Sequence, residues 1–192
     1  MAFGCKSETD NSRERRCCMF QKNDMVIYGS QSVCEVVNIG TLSMAMIDKK
    51  KQYYTLRPIY QRDSVVYVPV DSERPVMRPV ITKEEAQKLV KNIPYIKAAW
   101  IEKEVEREQE YKKAISSCDP ERLIMIIKTL YNRRKARIED GKKVTVIDER
   151  YFKMAEKQLH EELAFALGIP REEIADYISG YMHKKSGKKS GD

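Results

Sequence analysis

The fold of this chain is decided by residues 20–80, which read FQKNDMVIYGSQSVCEVVNIGTLSMAMIDKKKQYYTLRPIYQRDSVVYVPVDSERPVMRPV. Short runs of β-branched and aromatic residues are separated here by turn residues such as Gly29 and Gly40, and no helical period runs through them. This pattern predicts short strands joined by tight turns in a small antiparallel barrel or curled sheet. The predicted strands are 25–28, 33–39, 52–60, 65–69 and 76–80.

The rest of the chain carries a helical pattern. Thr82 and Glu85 match a capping box, and Asp119 precedes a proline that suits the first position of a helix. The third predicted helix should bury an apolar stripe that ends at Tyr131. The predicted helices run from Thr82 to before Pro94, over 95–116, from Asp119 to Gly141, from Asp148 to Gly168, and from Pro170 onward. The sequence thus predicts an α+β fold, a β module followed by an all-α helical bundle.

The 192 residues are 42% hydrophobic and 34% charged, with a net charge of +7. More than half of this excess lies in residues 1–18 and 183–192, so the high pI alone is a weak indication of nucleic-acid binding. We expect a disordered leader at 1–18 and a basic disordered tail at 183–192, around domains at 19–80 and 81–182. Five cysteines without CxxC spacing favour free thiols in a reducing cytoplasm. No run of about 18 apolar residues could span a membrane.

No arrangement of residues in the sequence suggests catalysis. The two histidines, His160 and His183, have no obviously placed serine or cysteine nearby, and glycine-rich phosphate loops and CxxC metal spacing do not occur. Glu161 and Glu162 are neighbours on a predicted helix, and we interpret them as a solvated face. We expect no catalytic residue, no metal and no cofactor.

A set of motifs occurs in a defined order along both parts of the chain. The β module contains FQKNDMVIY at 20–28, the strand 33–39, YYTL at 53–56 and VYVPV at 66–70. The helical part contains Trp100, Tyr111-Lys112, Asp119, YNRR at 131–134 and the helix 148–167. Over roughly residues 19–178 this ordered set resembles the CarD/CdnL family of bacterial transcription regulators, whose β module is shared with the transcription-repair coupling factor.

The resemblance implies a Tudor-like or SH3-like β module that binds the β subunit of RNA polymerase. In that family one strand of the module lies against an exposed strand of the polymerase. The helical module contacts promoter DNA at the upstream edge of the transcription bubble, with a tryptophan wedged in the minor groove. The implied result is a more stable open complex, often at ribosomal RNA promoters.

The resemblance also places the polymerase contacts at the end of the second strand and in the strand before the Val-Pro motif. The family often has arginine at the positions of Leu42 and Tyr67, so here an apolar or aromatic contact would replace a salt bridge, or the partner surface differs. The alternative for Tyr67 is an ordinary aromatic residue of the barrel. The candidate polymerase-binding residues are Leu42, Met44, Val66, Tyr67 and Val68.

Trp100 is the only tryptophan, and the resemblance makes it the candidate minor-groove wedge. The alternative is that Trp100 anchors the helical core. Residues 100–110 carry five glutamates against Lys103 and Arg107, a net charge of −3 that opposes approach to phosphates. Lys103 and Arg107 lie one turn apart on the one helix face that could touch DNA.

The strongest basic cluster lies in residues 128–143, with seven basic and two acidic residues. Such a cluster at a helix end can hold the DNA backbone without reading its sequence. Alternatively it is a solvated helix end whose cations suit the helix dipole. The candidate DNA-binding residues in this cluster are Arg133, Arg134, Lys135, Arg137, Lys142 and Lys143.

The sequence therefore predicts a monomeric, non-enzymatic transcription regulator, located in the cytoplasm on the nucleoid through RNA polymerase. Its expected partners are the polymerase β subunit and promoter DNA, bound through minor groove and backbone with weak sequence preference. The alternative is a protein–protein interaction adaptor that makes no direct contact with DNA. The acidic stretch at 102–110 favours that alternative.

Overall fold

The structure, a computed structural model, describes residues 20–43, 48–61, 63–72, 77–99 and 104–186. Within these ranges it is an α+β fold in which strands precede helices. The strands are β1 (Met25–Tyr28), β2 (Val33–Gly40), β3 (Tyr53–Pro58), β4 (Val66–Pro69) and β5 (Met77–Pro79). The helices are α1 (Lys83–Asn92), α2 (Glu104–Ser116), α3 (Pro120–Glu139), α4 (Val146–Leu167) and α5 (Ile174–Ser186). None of the helices in these ranges is long and apolar enough to cross a membrane.

The strands form one antiparallel sheet in the order β4-β3-β2-β1-β5, so β4 and β5 are its edges. The β2–β3 register shifts between Val36 and Asn38, and an irregularity of this kind bends a strand and increases its twist. The strand pairings among the described residues do not join β4 to β5. The predicted antiparallel sheet is therefore confirmed, whereas its closure into a barrel is not.

Strand β1 is buried on both faces of the sheet. Val26 lies in the apolar core on one face, and Ile27 packs with Val33 and Cys118 on the other. Successive side chains of a strand point to opposite faces, so β1 joins the core of the sheet to the helical part. The core of the sheet also contains Cys34, Val36, Tyr54, Leu56 and Val68.

Helix α4 is the central element of the helical part. Thr145 is its N-cap, and Gly168, with a φ of 68°, ends it in the left-handed conformation that glycine adopts without a Cβ penalty. The predicted capping box of Thr82 and Glu85 is present with both of its hydrogen bonds. The apolar core that the helices share includes Leu89, Tyr111, Ile126, Leu130, Tyr151, Leu159 and Leu163.

Several predicted helix boundaries were wrong. The second helix does not begin at residue 95, because a 3-10 turn covers Ile93–Tyr95 and residues 96–99 are not helical. The fourth helix is capped by Thr145 and not by Asp148. The last helix continues to Ser186, into the stretch expected to be a tail.

Two predictions about side-chain exposure were also wrong. Glu161 and Glu162, interpreted as a solvated face, are buried, because α4 lies between the other helices and the sheet and is covered on both sides. Tyr131, expected in the buried stripe of α3, is 59% exposed. Its neighbour Leu130 takes the inward position, and one residue along a helix turns the side chain by about 100°.

Candidate interaction surfaces

Among the described residues, no strand pairs with the outer edge of β4. The Val70 N–H donates to the Gln52 carbonyl at 2.9 Å, which continues the β3–β4 register beyond the strand. Hydrogen-bonded and non-hydrogen-bonded pairs alternate along an antiparallel ladder. The backbone groups of Val68 and Val66 therefore point at β3, and those of Tyr67 point away from the sheet.

The side chains of β4 follow the same alternation. Val68 is buried in the core of the sheet and Val66 packs against that core. Tyr67 lies on the opposite face, with 37% of its surface exposed. An outward-facing backbone and an exposed aromatic ring thus meet at one position, which is what β-augmentation of a partner strand requires.

The other edge, β5, is poorly suited to pairing. It has three residues, and Pro79 has no N–H to donate. The Pro79 carbonyl already accepts a hydrogen bond from the Arg78 side chain at 3.0 Å. Strand β4 also ends in an outward-facing proline, Pro69, but it is one residue longer than β5 and its Tyr67 presents both an N–H and a C=O outward, so β4 is the better edge for another strand.

The two remaining predicted polymerase contacts lie beyond β2. Leu42 is half-buried and follows β2 by two residues. Gly40, the last residue of β2, pairs with Tyr53 of β3, and Tyr53 pairs with Pro69, the last residue of β4. The chain that continues from β2 to Leu42 therefore leaves the sheet at the same end as β4. Met44 lies outside the described residues.

Two cations of the basic cluster have structural partners. Lys128 donates to the carbonyls of Ile93 and Ile96, the latter at 2.7 Å, and so satisfies the end of α1 and its 3-10 turn. Burial lowers the pKa of Lys128. Arg133 contacts the buried carboxylate of Asp148 at 2.7 Å and ties α3 to the first turn of α4. Lys128 was counted only in the basic cluster, whereas Arg133 was a candidate DNA contact, and in the structure each of them also holds two elements together.

The other cations of the cluster lie at the exposed end of α3 and in the turn before α4. Lys135 and Lys142 pair with acidic neighbours, and the Arg137 Nε donates to the Lys143 carbonyl at 2.8 Å, which fixes the turn. For Arg134 and Lys143 the described residues provide no ion-pair partner. We name this exposed set the basic surface: Arg134, Lys135, Arg137, Lys142 and Lys143.

Exposed apolar side chains accompany the basic surface, and the sequence analysis missed them. Tyr131 and Ile138 lie on α3 two turns apart, and Val146 and Ile147 begin α4. Val146 is 83% exposed. Apolar residues at a helix start are usually interpreted as core, so the sequence offered no signal that these would face water.

Of the predicted DNA contacts on the acidic stretch, Trp100 and Lys103 lie outside the described residues. Arg107 lies on α2 and lines a cavity of about 410 Å³ between α2 and the start of α4, together with Tyr111 and Asp148. Arg107 therefore lies beside the start of α4, the helix that follows the turn carrying Lys143.

A polar junction joins the sheet to the helices. The Arg78 guanidinium donates to both carboxylate oxygens of Glu162, at 2.6 and 2.7 Å. Its Nε also donates to the Cys118 carbonyl. Charge-assisted, bidentate pairs of this kind are the strongest and most directional hydrogen bonds in proteins.

The turn between β1 and β2 completes this junction. The Gly29 N–H donates to the Cys118 Sγ at 3.1 Å, and the Gly29 carbonyl accepts from Gln158 Nε2 at 2.8 Å. Both Gly29 and Cys118 have a positive φ, 46° and 55°. A buried non-glycine residue in this conformation is strained and is kept by its contacts. We name the following residues the junction: Gly29, Ser32, Arg78, Cys118, Gln158 and Glu162.

The thiols of Cys34 and Cys118 are both buried. Burial raises the pKa of the Cys34 thiol to about 12, and burial also raises the pKa of the Cys118 thiol. Neutral buried thiols are neither nucleophiles nor metal ligands at pH 7. Within the described ranges no group of three or more His, Cys, Asp or Glu side chains gathers as metal ligands do.

An open strand edge is a feature through which a sheet can bind another protein chain. Residues 20–81 match the family model described as the CarD-like/TRCF RID domain, so this part of the chain is similar to the RNA polymerase-interacting domains of that family. The match confirms the resemblance for the β module and supports a role in transcription; it ends just before Thr82, the cap of α1. No curated protein matches the chain.

Proposed function

We propose that this chain is a non-enzymatic transcription regulator that docks on the RNA polymerase β subunit and contacts promoter DNA at the upstream edge of the bubble. By holding both, it stabilises the open complex, for example at ribosomal RNA promoters. The observation that carries the proposal is the open β4 edge within a domain that matches the polymerase-interacting family.

Docking on the β subunit uses the backbone of β4. A partner strand laid along this edge would pair with the N–H and C=O of Tyr67, and the exposed ring would cover the contact. Val66 and Val68 hold the strand in place through the core, and their contribution is to keep the edge extended. Leu42 and Met44 would extend the contact at the end of β2.

Contact with DNA uses the basic surface. Its cations stand at the exposed end of α3 and in the following turn, where they can reach phosphates without burying charge. Arg133 would act indirectly, because its pair with Asp148 fixes the α3–α4 turn that presents them. Each phosphate contact contributes about −0.9 to the slope of log affinity against log salt concentration.

Trp100, with Lys103 and Arg107, remains the proposed minor-groove element. An inserted ring costs a few kcal/mol of unstacking and needs compensation from backbone contacts. The basic surface would supply those contacts. In Trp100→Ala a loss of open-complex stabilisation at an unchanged melting temperature supports the wedge, and a large fall in melting temperature supports a core role.

An adaptor that binds a second protein is the alternative function. Exposed Tyr131, Ile138 and Val146 beside the basic surface favour it, because aromatic and apolar groups are enriched in protein interfaces. The two functions differ in their response to salt. DNA binding weakens steeply as salt rises, whereas an apolar protein contact does not.

The lifetime of the open complex on a ribosomal RNA promoter tests the proposal. We expect the wild-type chain to lengthen that lifetime and Tyr67→Pro to abolish the effect. Deletion of residues 19–80 is a poor test, since it would also remove Arg78 and Gly29 from the junction. An unchanged lifetime at every promoter tested would reject the DNA role.

The same proposal includes four further properties of the chain: closure of the sheet into a Tudor-like barrel, the two-domain division, the monomeric state and the nucleoid location.

A further inference from the structure

The junction differs from the rest of the contact between sheet and helices. The apolar contact is small: Ile27, Val33 and Cys118, with partly buried neighbours. Apolar packing is non-directional, so a small patch of it allows the two parts to rock or slide. Hydrogen bonds at the same place constrain both distance and angle.

The sheet and the helices each contribute groups that are fixed within their own part. Arg78 lies in β5, whose backbone pairs with β1, and Gly29 follows β1 directly. Glu162 and Gln158 lie one turn apart on α4, the central helix. Two contacts on α4 and two on the β1–β5 pair define an orientation and not merely a distance.

Burial makes the geometry strict. Glu162 is fully buried and Gln158 almost so. A buried charge or amide without its partner is costly, so small rotations of one part against the other are opposed. Ser32 and Tyr60 add hydrogen bonds from the sheet to carbonyls of α4, at 3.4 and 3.2 Å.

We infer that the junction is an orientation lock, in which Arg78 and Glu162 are positioning residues that hold the β4 edge and the basic surface of α3 as one rigid bridge. This inference rests on the proposed function for its consequence, a fixed placement of the basic surface relative to the polymerase. The rigidity itself is a property of the free protein.

The test replaces the charged pair by apolar side chains of similar length, in Arg78→Met/Glu162→Leu. Such replacements keep a buried site filled and generally preserve folding. The matched control is Arg57→Met/Glu35→Leu, which removes an Arg–Glu pair of 2.7 Å from the surface of the sheet. Residual dipolar couplings are measured on full-length free protein in each case.

We expect one alignment tensor to fit both parts of the wild type and of the control, and two different tensors to be needed for the junction variant. A single tensor for the junction variant would overturn the inference. If the junction variant does not fold, Gln158→Met replaces it with the same expected and opposing results.

The functional readout separates this inference from the proposed function. The junction variant should bind the β subunit within twofold of wild type but lose most of the lengthening of open-complex lifetime. Loss of rigidity with full retention of that lengthening would overturn the positioning role. A wild type without effect on lifetime would reject the proposed function and leave the dipolar-coupling result standing.

Discussion

Tyr67 lies opposite Thr55 in a non-hydrogen-bonded pair of the β3–β4 ladder. The backbone N–H and C=O of Tyr67 consequently face outward on the β4 edge, where Pro69 also faces outward but has no N–H to offer. This relationship separates the roles of neighbouring residues in β4.

Proline at position 67 should remove polymerase binding and leave the fold intact. Tyr67→Pro deletes an N–H that the sheet does not use, and proline is tolerated where that group faces solvent. We expect affinity for the β subunit, measured by calorimetry, to fall at least ~10-fold, the equivalent of about 1.4 kcal/mol. Tyr67→Ala, which keeps the N–H, should lose less.

Proline one residue later should act differently. The Val68 N–H points at β3, so Val68→Pro breaks a ladder bond within the sheet and should lower the melting temperature. Equal effects of Tyr67→Pro and Val68→Pro on melting temperature would contradict the assignment of outward-facing groups.

Removal of two exposed cations should change the salt dependence of DNA binding. Arg134→Gln/Lys143→Gln deletes the two members of the basic surface for which the described residues offer no ion-pair partner. The slope of log affinity against log salt should become shallower by about 1.8 if both contact phosphates. Fluorescence anisotropy with duplex DNA over a range of salt measures it. An unchanged slope would remove both residues from the interface.

Arg133→Gln is the matched control for that experiment. Arg133 pairs with buried Asp148, and the variant removes this partner from the carboxylate. The free energy of unfolding should therefore fall by roughly 1 to 3 kcal/mol. Its salt slope should equal that of the wild type. A normal melting temperature together with a shallower slope would show that Arg133 faces DNA after all.

Loss of Glu162 should be among the most destabilising substitutions in the chain. Glu162→Ala leaves the Arg78 guanidinium largely buried without its carboxylate, a change that costs roughly 3–5 kcal/mol. Urea unfolding followed by circular dichroism checks this. Glu35→Ala, which breaks the more exposed pair with Arg57, should cost no more than about 1 kcal/mol.

The buried thiols should report unfolding. In a variant with serine at positions 5, 17 and 18, Cys34 and Cys118 should react with Ellman's reagent at least ~100-fold more slowly in buffer than in urea. Because burial raises the pKa of Cys34 from 9.0 to about 12, the native thiol keeps a proton that the unfolded thiol releases. The free energy of unfolding should therefore fall as pH rises above about 9. Rapid reaction in buffer would contradict this burial.

Local signals predicted much of this fold. The capping box at Thr82, the Asp119 cap and the glycine at 168 act within a few residues of themselves, and the structure has all three. Turn residues likewise separated the strands. What the sequence could not show was which element packs on which.

Glu162 illustrates the missing information. As a charge beside another charge on a helix, it resembles a solvent-facing residue, and only the approach of Arg78 from a strand 84 positions away in sequence explains its burial. Exposed Val146 is the converse, an apolar residue that is 83% exposed at the first position of α4. The strand β4 itself was predictable from its β-branched and aromatic residues. Its place at the edge of the sheet was not, because strand order depends on which strands pair.

Amide hydrogen exchange at Tyr67, with and without the polymerase β subunit, tests the central claim most directly. In the free chain this amide should exchange quickly, while those of Val66 and Val68 are protected by β3. On binding, we expect the Tyr67 amide to slow at least ~10-fold as it enters the partner's ladder. Binding that leaves the Tyr67 amide as fast as in the free chain, with new protection only elsewhere, would contradict docking through β4.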